Sequence, residues 1–240
     1  MKTIKTLHWT FIVIVLLSFQ SCIEDISIVG NGHAVTEDRY TASFNEVKIS
    51  GSYDVTIISG DDYAIEITAE SNLLPYIVTD LDGDKLKIRT RGIHSLHNSL
   101  PMHIYITTPH LEGVTLSGSG YVLTDHFSSN EFKLALSGSG QIETAIDAHD
   151  LSANISGSGR ITISGICTHS DLLISGSGKI ESYGLEQNTC HATISGSGDL
   201  FVDVENLIDV KISGSGSLRY INTPEIRSSI SGSGRIINDN

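Results

Sequence analysis

The chain has 240 residues, with 28 acidic against 15 basic side chains and a formal net charge of −13. So large a negative charge repels phosphate backbones, which argues against a nucleic-acid partner. The length allows one or two domains with a sizeable core, and many Ile, Val, Thr and Gly beside only two Met favour an all-β fold.

The N-terminus has the pattern of a bacterial export signal. Lys2 and Lys5 precede an apolar run at residues 9–19, which is shorter than the roughly 20 residues of a membrane-spanning helix. Residues 1–21 are therefore predicted to be a lipoprotein signal peptide, with Cys22 as the lipid attachment site. An ordinary signal peptide followed by a chance cysteine is the alternative. Because the chain has no basic patch, membrane attachment is expected from this lipid alone.

Residues 22–113 are predicted to form a β-rich cap. Alternating apolar runs predict strands at residues 64–69, 86–90 and 103–107, and residues 72–76 predict a short helix or turn. Within this region, residues 47–55 resemble one diverged copy of the repeat that follows, with Tyr53 in place of a glycine. The first coil of a repeat protein needs a cap of different sequence, and this region fits that role.

Residues 114–240 contain seven Ser-Gly-Ser-Gly motifs, spaced 18 to 20 residues apart. The motifs begin at Ser117, Ser137, Ser156, Ser175, Ser195, Ser213 and Ser231. An aliphatic residue stands directly before each motif and another stands two residues after it. This alternation indicates a half-buried strand that is repeated in register, and it excludes a flexible Gly/Ser linker.

A single strand of this kind cannot bury its apolar face alone. Three buried aliphatic side chains contribute roughly 5–9 kcal/mol, which is less than the cost of ordering about 19 residues. The repeat therefore predicts a β-solenoid, a right-handed parallel β-helix of about seven coils of 18–20 residues. Alternation would place both serines of a motif outside and both glycines inside. Alternatively, each motif is a corner with one glycine at positive φ.

Several shorter motifs accompany the repeats, namely Gly30-Asn31-Gly32 and residues 35–39, 44–47 and 72–76. Together with the serial Ser-Gly-Ser-Gly motifs, they resemble the family of putative auto-transporter adhesins with a head GIN domain. The resemblance covers nearly the whole chain after residue 21. It implies a right-handed β-helix in envelope proteins of Gram-negative bacteria, but it implies no site residues, because adhesin is there a name given by analogy.

No metal or cofactor is predicted. The residues that follow the seven motifs have mixed charges, which argues against a ladder of calcium sites. Four histidines fall in consecutive coils: His126, His149, His169 and His191. They stand 11, 7, 6 and 4 residues before the next motif, so they are expected to occupy different positions along the coil instead of stacking. We therefore expect them to be exposed and to bind no metal. His94 and His97 lie three residues apart, near His103, but their segment is predicted to be a loop, and no cysteine or carboxylate accompanies them at ligand spacing.

Cys167 and Cys190 lie in adjacent coils at different distances from their motifs. The offset predicts two separate, buried thiols rather than a disulfide, unless a bend brings them together.

An enzyme is the main rival to a binding protein, because polysaccharide lyases and related hydrolases use β-helices. Such enzymes carry long loops with clustered charges, and only residues 80–103 could form one here. The charges of that segment are Asp80, Asp82, Asp84, Arg89 and Arg91. They are explained more simply by a solvated turn around Gly83 and one strand face.

The sequence thus predicts a non-catalytic binding or adhesion module. It would be an outer-membrane lipoprotein of the cell envelope, on the periplasmic side or the cell surface, with a glycan or a protein as its ligand and with ligand-binding residues unknown. The alternative is a structural scaffold, a homo-oligomer that associates through the ends of the solenoid, where an uncovered strand edge invites contact. A polysaccharide-active enzyme is the least favoured interpretation.

Replacement of Cys22 by Ala is expected to abolish fatty-acid labelling and to release the protein from the membrane fraction, because the thiol is the predicted site of acylation. Metabolic labelling with a fatty acid, followed by fractionation, measures both effects. Labelling that persists in the Cys22→Ala variant would exclude this anchor.

Overall fold

The computed structural model describes residues 26–240, so the predicted signal peptide and Cys22 lie outside it. The described chain is almost entirely β-strand, with one short 3-10 helix at Leu74–Tyr76. The first nine strands are β1 (Ile26–Val29), β2 (Ala34–Arg39), β3 (Glu46–Ser50), β4 (Asp54–Ser59), β5 (Ala64–Glu70), β6 (Ile77–Asp82), β7 (Lys85–Thr90), β8 (His94–His97) and β9 (His103–Thr108). The others are β10 (Gly113–Gly118), β11 (Tyr121–Gly138), β12 (Gln141–Gly157), β13 (Arg160–Gly176), β14 (Lys179–Gly196), β15 (Asp199–Gly214), β16 (Ser217–Ile221), β17 (Glu225–Gly232) and β18 (Arg235–Asn238).

The predicted β-solenoid is confirmed. Strands β10 to β15 pair with their sequence neighbours in parallel, and each of β11 to β15 supplies nearly a whole coil of 16 to 18 residues. The register aligns the motifs from coil to coil, so that Ser156 pairs with Ser175 and Ser175 with Ser195. The aliphatic side chains beside the first six motifs face inward and form one continuous core along the axis of the solenoid.

The Ser-Gly-Ser-Gly motifs are corners that combine the two arrangements expected from the sequence. In the copy at Ser195, both serines are exposed and the second glycine, Gly198, is buried. The first glycine has a positive φ in all seven copies, between 115° and 136°. A Cβ atom on Gly196 would come within 3.0 Å of the Gly176 carbonyl oxygen in the preceding coil, and one on Gly198 would lie 2.5 Å from Ile174 Cγ2. Gly196 thus contacts the backbone of the preceding coil, whereas Gly198 faces the core.

The N-terminal region continues the solenoid and then closes it. Strands β3 and β4 stack in register on β10 and β11, so that Val47 pairs with Val114 and Val55 with Val122. Strands β7 and β9 extend the parallel stack by a further layer. Beyond them the pairing becomes antiparallel, with β6 on β7, β5 on β9 and β2 on β5. These antiparallel strands cover the parallel edge at this end.

Strand β8 and the residue Tyr53 are two features of this region that the sequence did not predict in full. Residues 94–97 were expected to be a loop but form β8, because β1 supplies a parallel partner strand from a distant part of the chain. Tyr53, which replaces the second glycine of the motif, is buried, and its hydroxyl lies 2.5 Å from Thr90 Oγ1. Burial raises the pKa of Tyr53, although the hydrogen bond with Thr90 works in the opposite direction.

Glu70 attaches the Gly30-Asn31-Gly32 segment to the cap. Its carboxylate is fully buried and accepts backbone N–H groups from Gly32 at 2.5 Å, Ser99 at 2.8 Å and Leu100 at 3.3 Å. Burial alone would raise the pKa of Glu70, but the three N–H donors outweigh it and the pKa is lowered. Asn72 makes a second link, because its side chain bonds to Asn31 N and to the Val29 carbonyl oxygen.

Glu70→Gln is expected to lower the Tm by several degrees at about pH 7, because an amide cannot accept three N–H groups as well as a carboxylate does. The pKa of Glu70 is lower in the folded than in the unfolded chain. Its contribution to stability is therefore present at neutral pH and is lost as the pH falls below about 4. The variant should show a smaller drop in Tm than the parent between about pH 7 and about pH 3, by circular dichroism. Glu66→Gln, an exposed position on the same strand, is the control, and equal behaviour of the two variants would contradict the role of Glu70.

Gly196→Val is expected to destabilise the fold by roughly 2–5 kcal/mol, because the side chain would meet the Gly176 carbonyl and strain a backbone at positive φ. Alanine at the exposed Ser177, Ser197 and Ser215 together should cost no more than about 1 kcal/mol. Urea unfolding measures both variants. If they are equally destabilised, the serine hydroxyls are part of the corner's bonding, and the solvent-facing assignment of the serines is wrong.

Candidate functional site

Four consecutive coils share a bend, here named the second bend, where two successive residues are at least partly exposed. It lies at residues 130–131, 149–150, 168–169 and 188–189. Strand pairing skips His149 and Thr168 at this bend, and His149 and Asp150 are both exposed, although strict alternation would bury one of them. The bend therefore places two consecutive side chains on the surface, whereas a straight strand would point them to opposite faces.

A groove with a volume of about 500 Å³ follows the second bend across five coils. We call it the side groove. One wall is the ladder of paired residues Glu131, Asp150, His169, Thr189 and Leu207, and the other contains Lys133, Ser152, Asp171, His191 and Asp209. Phe132, Leu151, Ser170 and Cys190 lie between these walls. The side groove thus combines a mainly apolar floor with polar and acidic rims.

Two of the four repeat histidines contact each other at the rim of the side groove, although the sequence spacing predicted that none of them would stack. The rings of His149 and His169 lie edge to face with their centroids 5.2 Å apart. His149 Nδ1 lies 3.0 Å from Asp150 Oδ2, and His169 Nδ1 lies 2.7 Å from Thr189 Oγ1. The expectation failed because Asp150 is the register partner of His169, and the second bend turns the preceding His149 outward beside it.

The remaining repeat histidines have simpler surroundings. His126 Nε2 lies 3.1 Å from Asp147 Oδ1, and His191 Nδ1 lies 3.7 Å from Asp209 Oδ2. Among the described residues, only His149, Asp150 and His169 form a group of three whose metal-ligating atoms lie within 4.8 Å of one another.

A second concave surface, the tyrosine cleft, lies on the N-terminal cap. It has a volume of about 510 Å³ and is lined by residues that include Asp38, Tyr40, Ile58, Tyr63, Glu66 and Tyr105. Tyr40 is fully exposed and also borders an adjacent hollow of about 380 Å³, and Tyr105 is 44% exposed. The guanidinium of Arg39 is turned away, since it donates to the Ile77 carbonyl oxygen at 2.6 Å. The cleft therefore presents aromatic rings and the carboxylates of Asp38 and Glu66.

Sequence reasoning missed the tyrosine cleft because its residues come from four strands, β2, β4, β5 and β9, and from the turns after β2 and before β5. The available signal was alternation, since Tyr105 stands between the buried Ile104 and Ile106 and must face outward. Nothing local to the sequence indicated that Tyr40 and Tyr63 would lie beside it.

The two cysteines are separate and buried, as predicted. Burial raises the pKa of the Cys167 thiol to about 12, with a further contribution from the charge of Asp150. Burial raises the pKa of Cys190 to about 12 as well, against a hydrogen bond with Ser170. Both groups are protonated thiols at neutral pH and are poor nucleophiles.

Two ion pairs of residues 80–103 cross the hairpin of β6 and β7. Lys87 binds Asp82, and Arg89 Nη2 lies 2.7 Å from Asp80 Oδ2. Gly83 provides the turn between the two strands with a φ of 64°. This arrangement is the solvated turn that the sequence suggested. Within residues 26–240, no helix is long and apolar enough to cross a membrane.

Comparison with known proteins gives the family. The sequence model of the family described as "Putative auto-transporter adhesin, head GIN domain" matches residues 43–224. None of the curated proteins matches this chain.

Several solved structures have the same fold. A putative adhesin from Bacteroides fragilis has a TM-score of 0.83 at 23% identity, over 88% of this chain and 99% of its own. A putative lipid binding protein from Parabacteroides distasonis has a TM-score of 0.76 at 25% identity, over 89% and 100%. A putative adhesin from Parabacteroides merdae has a TM-score of 0.73 at 22% identity, over 90% and 100%. The family match spans most of the solenoid and its cap, and the chain therefore belongs to the family of putative auto-transporter adhesins with a head GIN domain.

Proposed function

We propose that this protein is a non-catalytic binding module of the bacterial cell envelope and that the tyrosine cleft is its ligand-binding surface. The observation that carries the proposal is the exposure of Tyr40 and Tyr105 at the edge of a concave surface. Tyrosines bury a large area when a ligand covers them, and aromatic side chains dominate the energetics of recognition surfaces. Membership of an adhesin-like family agrees with a binding role.

The cleft favours a neutral glycan as the ligand. The C–H face of a pyranose ring is apolar and stacks on an exposed aromatic ring, while sugar hydroxyls donate hydrogen bonds to carboxylates. Tyr40, Tyr63 and Tyr105 provide the rings, and Asp38 and Glu66 provide the acceptors. Sialylated or sulfated glycans are disfavoured because the chain has a net charge of −13.

The anchoring and the location follow from the N-terminal sequence. Lipid at Cys22 would hold the protein on the outer membrane of a Gram-negative cell and leave the solenoid free as a rigid body that displays the cleft. The absence of catalysis is part of the same proposal. It is supported by the protonated thiols and by the ion pairs Asp82–Lys87 and Asp80–Arg89, which engage four of the charges of residues 80–103.

A structural scaffold remains the second candidate, and one observation favours it. Ile230 on β17 is 43% exposed, whereas its register partner Ile212 is 2% exposed. Association through this face would bury Ile230 against another molecule. Concentration-dependent self-association that is abolished by Ile230→Lys would favour the scaffold over the glycan receptor.

The glycan proposal is tested with the full-length chain, purified in detergent, on an array of neutral and acidic glycans. Tyr40→Ala and Tyr105→Ala should each weaken binding of a neutral glycan by about tenfold or more, because a stacked aromatic contributes about 1–3 kcal/mol. Both side chains are exposed, so the Tm of each variant should stay within about 1 °C of the parent.

Tyr121→Ala is the matched control, since Tyr121 lies in the same sheet but outside the cleft, with its hydroxyl bound to Glu143 at 2.9 Å. This variant should bind as the parent does. Glycan binding that is unchanged in both cleft variants would contradict the proposed site, and the release of reducing ends from a bound polysaccharide would contradict the absence of catalysis.

A further inference from the structure

We infer that His149, Asp150 and His169 form a binding site for a divalent transition-metal ion, with Zn²⁺ as the preferred physiological ion. The site lies on the rim of the side groove and shares no residue with the tyrosine cleft, so the inference is independent of the proposed function. It differs from the sequence analysis, which predicted no metal because the histidines were expected to drift along the coil.

The geometry is close to that of a bound ion. Each of the three residues has a ligand atom within 4.8 Å of the others. Ligand atoms about 2.0–2.2 Å from a tetrahedral zinc ion stand roughly 3.3 Å apart, and His149 Nδ1 is already 3.0 Å from Asp150 Oδ2. All three side chains are exposed, so small rotations about their χ angles are free to close the remaining gap.

The donor set selects the class of metal. Two imidazoles and one carboxylate suit zinc and its neighbours among the first-row transition metals, whereas calcium and magnesium prefer oxygen ligands alone. Three protein ligands leave a fourth position open to water or to a ligand in the side groove. Glu131, the register partner of Asp150 on the preceding coil, lies in the same ladder, and its carboxylate pairs with Lys133 at 3.3 Å.

The surrounding structure orients the ligands. Asp150 and His169 are direct partners in the parallel ladder of β12 and β13, so their backbones are held side by side. Thr189 Oγ1 lies 2.7 Å from His169 Nδ1. A hydrogen bond donated by Nδ1–H to this hydroxyl leaves the lone pair of Nε2 for the metal, an arrangement common among metal-binding histidines.

The other repeat histidines provide matched controls. His126 and His191 are also exposed and each lies beside an aspartate, Asp147 or Asp209, but neither belongs to a cluster of three ligands. A general attraction of cations to an acidic chain would act at all four histidines. Binding at a specific metal site would, among the four histidines, depend on His149 and His169 alone.

The test is titration calorimetry of the full-length chain, without an affinity tag and after treatment with a chelator, using Zn²⁺ as the probe. One ion per chain is expected to bind saturably and to raise the Tm. His149→Ala and His169→Ala should each weaken Zn²⁺ binding by at least about tenfold, while His126→Ala and His191→Ala should leave it unchanged. Excess Ca²⁺ should not compete.

Cobalt provides a second readout that does not depend on stability. Co²⁺ bound by two imidazoles and a carboxylate should give visible absorption of the intensity typical of a four-coordinate ion, and His149→Ala or His169→Ala should remove it. The inference is overturned if Zn²⁺ shows no saturable binding, if binding survives the combined loss of His149 and His169, or if all four histidine variants weaken it equally.

Discussion

The contact on which the rest of the molecule depends is the stacking of one glycine corner directly on the backbone of the next. Ser197 N donates to the Gly176 carbonyl oxygen at 2.9 Å, and Asp199 N donates to the Gly178 carbonyl oxygen at 3.1 Å. No side chain fits between backbones at this distance, which is why all seven Ser-Gly-Ser-Gly copies keep both glycines. Each corner fixes the height and the register of the coil above it, and a slip of one residue would turn the aliphatic side chains to the solvent.

Because the register is fixed, residues that are far apart in the sequence lie next to one another in the structure. Residues 18 to 20 positions apart become neighbours in a ladder, so a surface is composed of equivalent positions from successive coils. Where the strands run straight, alternation separates inward from outward side chains. At the second bend, two consecutive side chains turn outward, and there the ladders carry histidine, carboxylate and hydroxyl groups beside an apolar floor. The bends therefore bring together different kinds of side chain that the straight segments keep on opposite faces.

The two ends of the solenoid are built differently. At the N-terminal end, antiparallel pairing covers the parallel edge, and the buried carboxylate of Glu70 joins the Gly30-Asn31-Gly32 segment to the loop before β9. At the other end, the parallel pairing continues to β17 and β18, and Asp239 accepts hydrogen bonds from Arg219 at 2.7 and 2.8 Å. Ile230 stays exposed on β17. This asymmetry separates a closed end that carries the tyrosine cleft from an end with an apolar residue at its surface.

The solenoid, the spacing of its coils and the burial of both cysteines could be predicted from the sequence, because they depend on alternation and on a repeat that can be counted. The strands at residues 64–70, 85–90 and 103–108 were predicted within one residue at their ends. Which outward side chains contact one another could not be predicted, because those contacts depend on how the chain bends between coils. His149 and His169 differ by one position within their coils, and a straight strand would point them to opposite faces. A bend brings them together, and counting residues along the sequence does not reveal where the chain changes direction. Tyr40, Tyr63 and Tyr105 converge for a related reason, because antiparallel pairing in the cap joins segments that no repeat relates.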